Sequence, residues 1–180
     1  MFLNEQLKKI LYILIIFVFG IGFAQEKEAS DCNLQTENEL WKADYEKSES
    51  QVQRIELIKQ KIIADSVYIQ FEPKIITTHS ATIINKFVDA NGNDCGCKIL
   101  FILYYKKRKA IVLDLQLRPE LNVIVEKLNS ENIADIFHSF EKETARAIYG
   151  AESGKCGFVQ MTVKERKLKK LIKNVWHHRI

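Results

Sequence analysis

The run Cys97-Lys-Ile-Leu-Phe-Ile-Leu-Tyr-Tyr105, followed by Lys106-Lys107-Arg108-Lys109 and then Ala110-Ile-Val-Leu-Asp-Leu-Gln-Leu117, decides the fold class. Ile99, Phe101 and Leu103 recur every second residue, as do Ile111, Leu113 and Leu115. That period gives each segment one apolar face, the signature of a strand. Four consecutive cations between the segments resist burial and suit a hairpin tip, so the two strands are expected to run antiparallel with one side on a core.

Upstream, Asp89-Ala90-Asn91-Gly92-Asn93-Asp94 is a turn cluster, with Asn91-Gly92 suited to positive φ. Before it, Lys74 to Val88 is rich in Ile and Thr, and its second half, Ala81 to Val88, reads as a strand. Val67, Ile69 and Phe71 alternate with polar neighbours in another strand that Pro73 ends. From Glu37 to about Ala64 the spacing is helical: Leu40, Trp41 and Tyr45, then Val52, Ile55, Ile58, Ile62 and Ile63. The acidic, serine-bearing stretch Glu46 to Ser50 divides this into two helices, with Ser48 or Ser50 capping the second.

Downstream, Pro119 suits the first turn of a helix reaching Leu128. Ser130 is placed to cap a helix carrying Ile133, Ile136, Phe137, Phe140 and Ile148, which Gly150 ends. Gly157 to Val163 reads as a short strand, and Lys164 to Trp176 as a basic amphipathic helix with Leu168, Leu171, Ile172, Val175 and Trp176 on one side. The expected fold is α+β: an antiparallel sheet of about four to five strands with helices packed on one face, a long N-terminal helix and a C-terminal basic helix.

Length and composition agree with one domain. The chain has 180 residues, 47% hydrophobic and 28% charged, with net charge +4. Interspersed charges of both signs argue against a disordered chain, and two prolines and seven glycines exclude collagen-like and Pro/Gly-rich sequences. Residues 1–24 read as a secretory signal peptide. Lys8 and Lys9 form the positive flank, Ile10 to Phe23 the apolar run, and Gly22 and Ala24 the small residues before a cut at Gln25. Fourteen apolar residues are fewer than the roughly 20 needed to span a bilayer. The expected organisation is therefore a signal peptide (1–24), a loose segment (25–36) and one α+β domain (37–180). The protein would be bacterial, periplasmic or secreted, and not an integral membrane protein after cleavage.

Export changes how cysteines are read. Cys32, Cys95, Cys97 and Cys156 all follow the signal, and an even count in an oxidising compartment favours disulfides. Cys95 and Cys97 flank a single glycine at a strand start, where a bond between them needs a kink. Two long-range bridges are expected instead: one of Cys95 or Cys97 to Cys156, the other to Cys32. The alternative is a labile Cys95–Cys97 pair, with Cys156 as resolving thiol, or a soft-metal site of Cys95, Cys97, Cys156 and His79.

Other motifs are weaker. Asp89, Asn91 and Asn93 imitate a calcium loop, but Asp94 and Leu100 stand where its glycine and glutamate belong. Asp135, His138 and Glu141 have the spacing of one helix side, expected to be solvated. Lys164, Arg166, Lys167, Lys169, Lys170 and Lys173 make the last helix a candidate surface for an envelope protein or an anionic surface, with Lys106 to Lys109 as a candidate addition to it. Residues 164–180 hold seven Lys/Arg against the single Glu165, a net +6, which leaves the rest of the exported chain at −3. Walker, dinucleotide-binding, Gly-Xaa-Ser-Xaa-Gly and His-Glu-Xaa-Xaa-His motifs are absent from the sequence. The functional expectation is an exported non-catalytic binding or structural module without a cofactor and without nucleic acid as partner. The alternative is a thiol-disulfide or soft-metal-handling protein using Cys95-Gly96-Cys97.

Overall fold

A computed structural model describes residues 33–68, 87–88, 94–149 and 155–177. These belong to one compact unit, Cys32–Ile180. The expected signal peptide, Cys32, the second half of the strand expected at Val67–Phe71, most of Lys74–Val88 with His79, and Asp89–Asn93 of the expected turn lie outside the described residues.

Two helices open the domain, α1 (Leu34–Lys47) and α2 (Gln51–Ala64). Helix α1 starts three residues before the expected Glu37, because Leu34 is itself a core residue packed with Phe87 and Cys95. The break falls where the acidic serine stretch predicts. Ser48 Oγ donates to the Tyr45 carbonyl and closes α1. Ser50 caps α2 with its side chain accepting from the Gln53 N–H, while Gln53 Oε1 accepts from the Ser50 N–H. Trp41 Nε1 donates to the Leu57 carbonyl at 3.0 Å and joins the helices. Val67 is not in a strand: it ends a 3-10 turn, Asp65–Val67, and is 72% exposed.

The strands are β1 (Phe87–Val88), β2 (Asp94–Gly96), β3 (Leu100–Lys106), β4 (Lys109–Val112), β5 (Ile133–Ser139) and β6 (Phe158–Val163). Three further helices are α3 (Asn122–Val125, entered through a 3-10 turn at Pro119–Leu121), α4 (Lys142–Tyr149) and α5 (Arg166–His177). Strands β1 and β2 form a small antiparallel ladder, and the main sheet runs β4-β3-β6-β5. The β3–β4 hairpin is antiparallel, as its charged tip predicts.

The main sheet as a whole is mixed, which corrects the antiparallel expectation. Strands β3 and β6 pair in parallel, Leu100 with Phe158 through Tyr104 with Thr162. Alternation along a strand says which face is apolar but not which strand lies alongside. Here the chain leaves β4, makes α3, β5 and α4, and returns to insert β6 between β3 and β5.

Residues 133–139 give the second correction: they form β5, not the first half of a helix. Asn129 Oδ1 accepts from the N–H groups of Glu131 and Asn132, and the Asn132 amide binds back to the Asn129 N–H and the Lys127 carbonyl. This closed asparagine turn stops the helical run where Ser130 was expected to start one. β5 then pairs with β6 from Ile133–Val163 to Ser139–Phe158, with an irregularity after Ile133. That irregularity lets Ile133, Ile136 and His138 share the core side, which produces the helix-like spacing in the sequence.

The core lies between the sheet face of Phe101, Leu103, Ile111, Val159, Met161 and Val163 and helices α1, α2, α3 and α5. Helix α4 does not join them. Its Ala145 and Tyr149 pack on the other face, against Leu100, Ile102 and Phe158, so helices cover both faces of the sheet.

Candidate functional site

The parallel pair β3–β6 has two ends of opposite character. At the end where both strands begin, Cys97 precedes Leu100 by three residues and Cys156 precedes Phe158 by two. Parallel strands start at the same end, so these cysteines meet. They form a disulfide with Cα atoms 5.8 Å apart, across a sequence separation of 59. Cys95 is also disulfide-bonded, and Cys95 and Cys97 are both buried. Of the expected bridges, the one from Cys97 to Cys156 is in place. A bond between Cys95 and Cys97 is not formed, because Cys97 is bonded to Cys156. Among the described residues no group of three or more His, Cys, Asp and Glu side chains is arranged to hold a metal ion.

Lys98, which follows Cys97, belongs to a buried charge network that sequence reading missed. Lys61 Nζ contacts Asp65 Oδ1 at 2.7 Å, and both residues are 4% exposed. Lys98, 5% exposed, reaches Asp114 Oδ1 at 3.4 Å and lies 4.5 Å from the Phe87 ring centroid. Burial pushes the Asp65 carboxyl above its ordinary value, with Lys61 and Lys98 opposing. Burial likewise pulls Lys98 down, against the attraction of Asp114 and Asp65. Tyr68 is raised by burial and by its hydrogen bond to Glu37. One signal for this network was available: Lys61 and Asp65 continue the buried Ile58–Ile62 stripe of α2. Ionisable residues on an apolar stripe mark a buried pair.

At the opposite end, β3 runs into the hairpin tip and β6 into α5. Helix α5 buries Leu168 and Ile172 in the core and half-buries Leu171 and Val175. Lys164, Arg166, Lys167, Lys170 and Lys173 are exposed and Lys169 is half-buried. Glu165, the acidic exception, is used at the helix start, where its Oε2 accepts from the Leu168 N–H at 3.1 Å. The Lys106–Lys109 tip is exposed along its whole length. Lys106 and Lys107 line one cleft of about 330 Å³ with Lys169, together with Tyr104, Tyr105, Gln160 and Thr162. Two basic segments more than fifty residues apart thus form one surface.

The Asp135, His138 and Glu141 trio is dispersed. Asp135 and His138 lie on opposite faces of β5, and Glu141 accepts from Thr144 Oγ1 at the start of α4. His138 instead sits 5.0 Å from the Tyr45 ring and 5.0 Å from Phe140, in an aromatic cluster completed by Trp41. Burial first, and the Arg54 guanidinium second, hold its imidazole below the ordinary 6.5, against Glu46. Tyr45, with its hydroxyl buried, is pushed up to about 12.

Compared with family models, with curated proteins and with solved structures, the chain gives no match in any of the three. Among the described residues no helix is long and apolar enough to cross a membrane.

Proposed function

We propose that the protein is an exported, non-catalytic module of the bacterial envelope or medium that binds an anionic partner through a composite basic surface. The surface joins the solvent face of α5 to the β3–β4 hairpin tip. The observation that carries this reading is the shared cleft of Lys106, Lys107 and Lys169. An amphipathic helix that only packs on a sheet needs a solvated outer face of any charge. A second cationic segment converging on it concentrates potential in one place and draws anions from solution. The signal-like residues 1–24 and the paired cysteines support an oxidising destination. The thiol-disulfide alternative draws no support from Cys95 and Cys97, which are buried and already bonded.

The test is charge reversal at Lys106, Lys107 and Lys169 to Glu, with polyglutamate and phosphatidylglycerol-containing vesicles as probes at low and high salt. Binding to one of the probes is expected to fall by about tenfold or more on reversal and to weaken with salt. Which probe responds separates an acidic protein partner from a lipid surface. Binding of neither probe, or binding unchanged by reversal, overturns the reading.

A further inference from the structure

A second cleft, at the bridged end of the parallel pair, has the chemistry of a ligand site. It encloses about 290 Å³ and is lined by Gln35, Asn38, Glu39 and Lys42 of α1, by Gly96 and Cys97, by Lys142 at the start of α4, and by Lys155 and Cys156. That is at the low end of the roughly 300–1,000 Å³ of small-molecule sites, so a ligand must be small.

Three lysines line it, but they are not equivalent. Lys42 is held by Glu39 at 2.9 Å and lies 5.7 Å from the Phe140 ring centroid, so its charge is largely shared. Lys142 and Lys155 are exposed, and neither makes an ion pair among the described residues. Asn38 supplies an independent observation. It is 1% exposed, and its Nδ2 donates to the Cys97 carbonyl at 2.7 Å, which fixes the amide orientation. Its Oδ1 is buried with no hydrogen-bond partner. A buried acceptor left unmatched is costly, and among the residues lining this cleft no neutral side chain donates to it.

We propose that this cleft binds a small carboxylate carrying an N–H donor beside the charge, the chemistry of an acylated amino acid or a peptide's carboxy terminus. The carboxylate lies between Lys142 and Lys155, and the N–H donates to Asn38 Oδ1. A fully ionised inorganic anion satisfies the lysines but has no proton for Asn38. An uncharged amide satisfies Asn38 but leaves the lysines unused. The site lies at the other end of β3 and β6 from the basic surface of α5, so the two readings stand or fall separately.

The probes are N-acetyl-alanyl-alanine, its carboxamide, and the ester analogue N-acetyl-alanyl-lactate, in which oxygen replaces the last N–H. Each is titrated into the purified protein with its disulfides intact, followed by amide NMR. The acid is expected to bind saturably and to shift the Asn38 side-chain amide and the Gly96 amide. The carboxamide and the ester are each expected to bind about tenfold more weakly. Lys142→Gln with Lys155→Gln changes only exposed side chains, so the fold is kept. That double variant should weaken the acid about tenfold and leave the carboxamide unaffected. Charge removal at Lys169, Lys170 and Lys173 should leave binding of the acid unchanged. Equal binding of acid and carboxamide, equal binding of acid and ester, or a double variant that binds like the parent would each overturn the proposal. So would the absence of saturable binding of the acid up to about 50 mM.

Discussion

The two ends of the β3–β6 pair are built from the same residue types and put them to opposite use. At the bridged end Lys98, which follows Cys97 of the Cys97–Cys156 bond, is buried, as are Lys61 and Asp65, which interact with it. At the hairpin end, lysines stand in water and only their helix's apolar side is committed to the core. A charge taken out of water loses several kcal/mol of solvation unless its partner is well placed, so breaking a buried pair costs far more than removing an exposed lysine. The buried groups of the bridged end, unlike the exposed Lys142 and Lys155, are therefore where substitutions should unfold the protein. The hairpin end is where substitutions should change what it binds and leave the fold alone.

The sharpest way to break that comparison is to remove the bridge. Cys97→Ala with Cys156→Ala opens a loop of 59 residues, and loop-closure entropy puts the loss at about 4 kcal/mol. Urea unfolding of the double variant should show it as a lowered midpoint. Lys169→Gln with Lys170→Gln and Lys173→Gln, at the other end, should move stability by no more than about 0.5 kcal/mol. Comparable losses from the two variants would erase the distinction.

Next in size is the buried pair. Asp65→Ala leaves the Lys61 ammonium without its carboxylate at 4% exposure, and a loss of about 3 kcal/mol is expected. Lys61→Met with Asp65→Leu should recover most of that, since two apolar side chains leave nothing unpaired. Asp65 also has a definite sign with pH. Its carboxyl is raised above 3.8 in the fold, so between 3.8 and its folded midpoint the native state holds the extra proton. Over that window the group contributes stability as pH falls, and Asp65→Leu with Lys61→Met should remove the contribution.

Two glycines sharpen the comparison within the bridged end. Gly96 and Gly157 both have positive φ, +94° and +90°. A Cβ on Gly96 would meet nothing nearer than Gln35 Cβ at 3.6 Å, so Gly96→Ala should cost only the backbone penalty, about 1 kcal/mol. On Gly157 it would lie 2.8 Å from the Ser139 carbonyl oxygen and 2.9 Å from Phe140 Cα, both backbone atoms that cannot swing aside. Gly157→Ala should therefore cost clearly more in the same urea measurement. Equal losses would mean that the β5–β6 junction is softer than its close approach implies.

Much of this architecture is legible in the sequence, and the failures share a cause. The α1–α2 break, the Ser50 cap, the charged hairpin and the burial of Leu168 and Ile172 all follow from spacing within one segment. The parallel β3–β6 pairing and the strand at Ile133–Ser139 do not, because they are set by contacts between segments far apart in the chain. Ile133, Ile136, Phe137 and Phe140 fit a helix as well as an irregular strand, and pairing with β6 decides between them. The cysteine spacing does carry the missing information. A disulfide between residues that each precede a strand is what a parallel pair would bring together, whereas an antiparallel pair would hold those positions at opposite ends. Convergence of Lys106, Lys107 and Lys169 depends on the same parallel pairing, so that part of the candidate surface could not be read earlier than the topology. Asn38 gave no signal at all: a polar residue in a helical stretch rich in Glu and Lys looks solvated until the Cys97 carbonyl is found against it.

The smallest effect concerns His138, which belongs to neither end. Its imidazole contacts Tyr45 and Phe140, and burial, followed by repulsion from Arg54, keeps its midpoint below 6.5. In the unfolded chain the midpoint returns to about 6.5, so below that pH the unfolded state takes up the proton first. Stability should therefore decline as pH falls from 6.5 through the folded midpoint and level off below it, where both states are charged. His138→Phe keeps an aromatic ring against Tyr45 and has no proton to gain, so its stability should lack this part of the acid dependence. Arg54→Gln should move the folded midpoint upward, narrowing the window without abolishing it. Titration of the His138 ring protons by NMR in the parent and the Arg54 variant measures both midpoints. A parent midpoint above 6.5 would mean that Glu46 outweighs burial and Arg54 together, and the slope would then reverse.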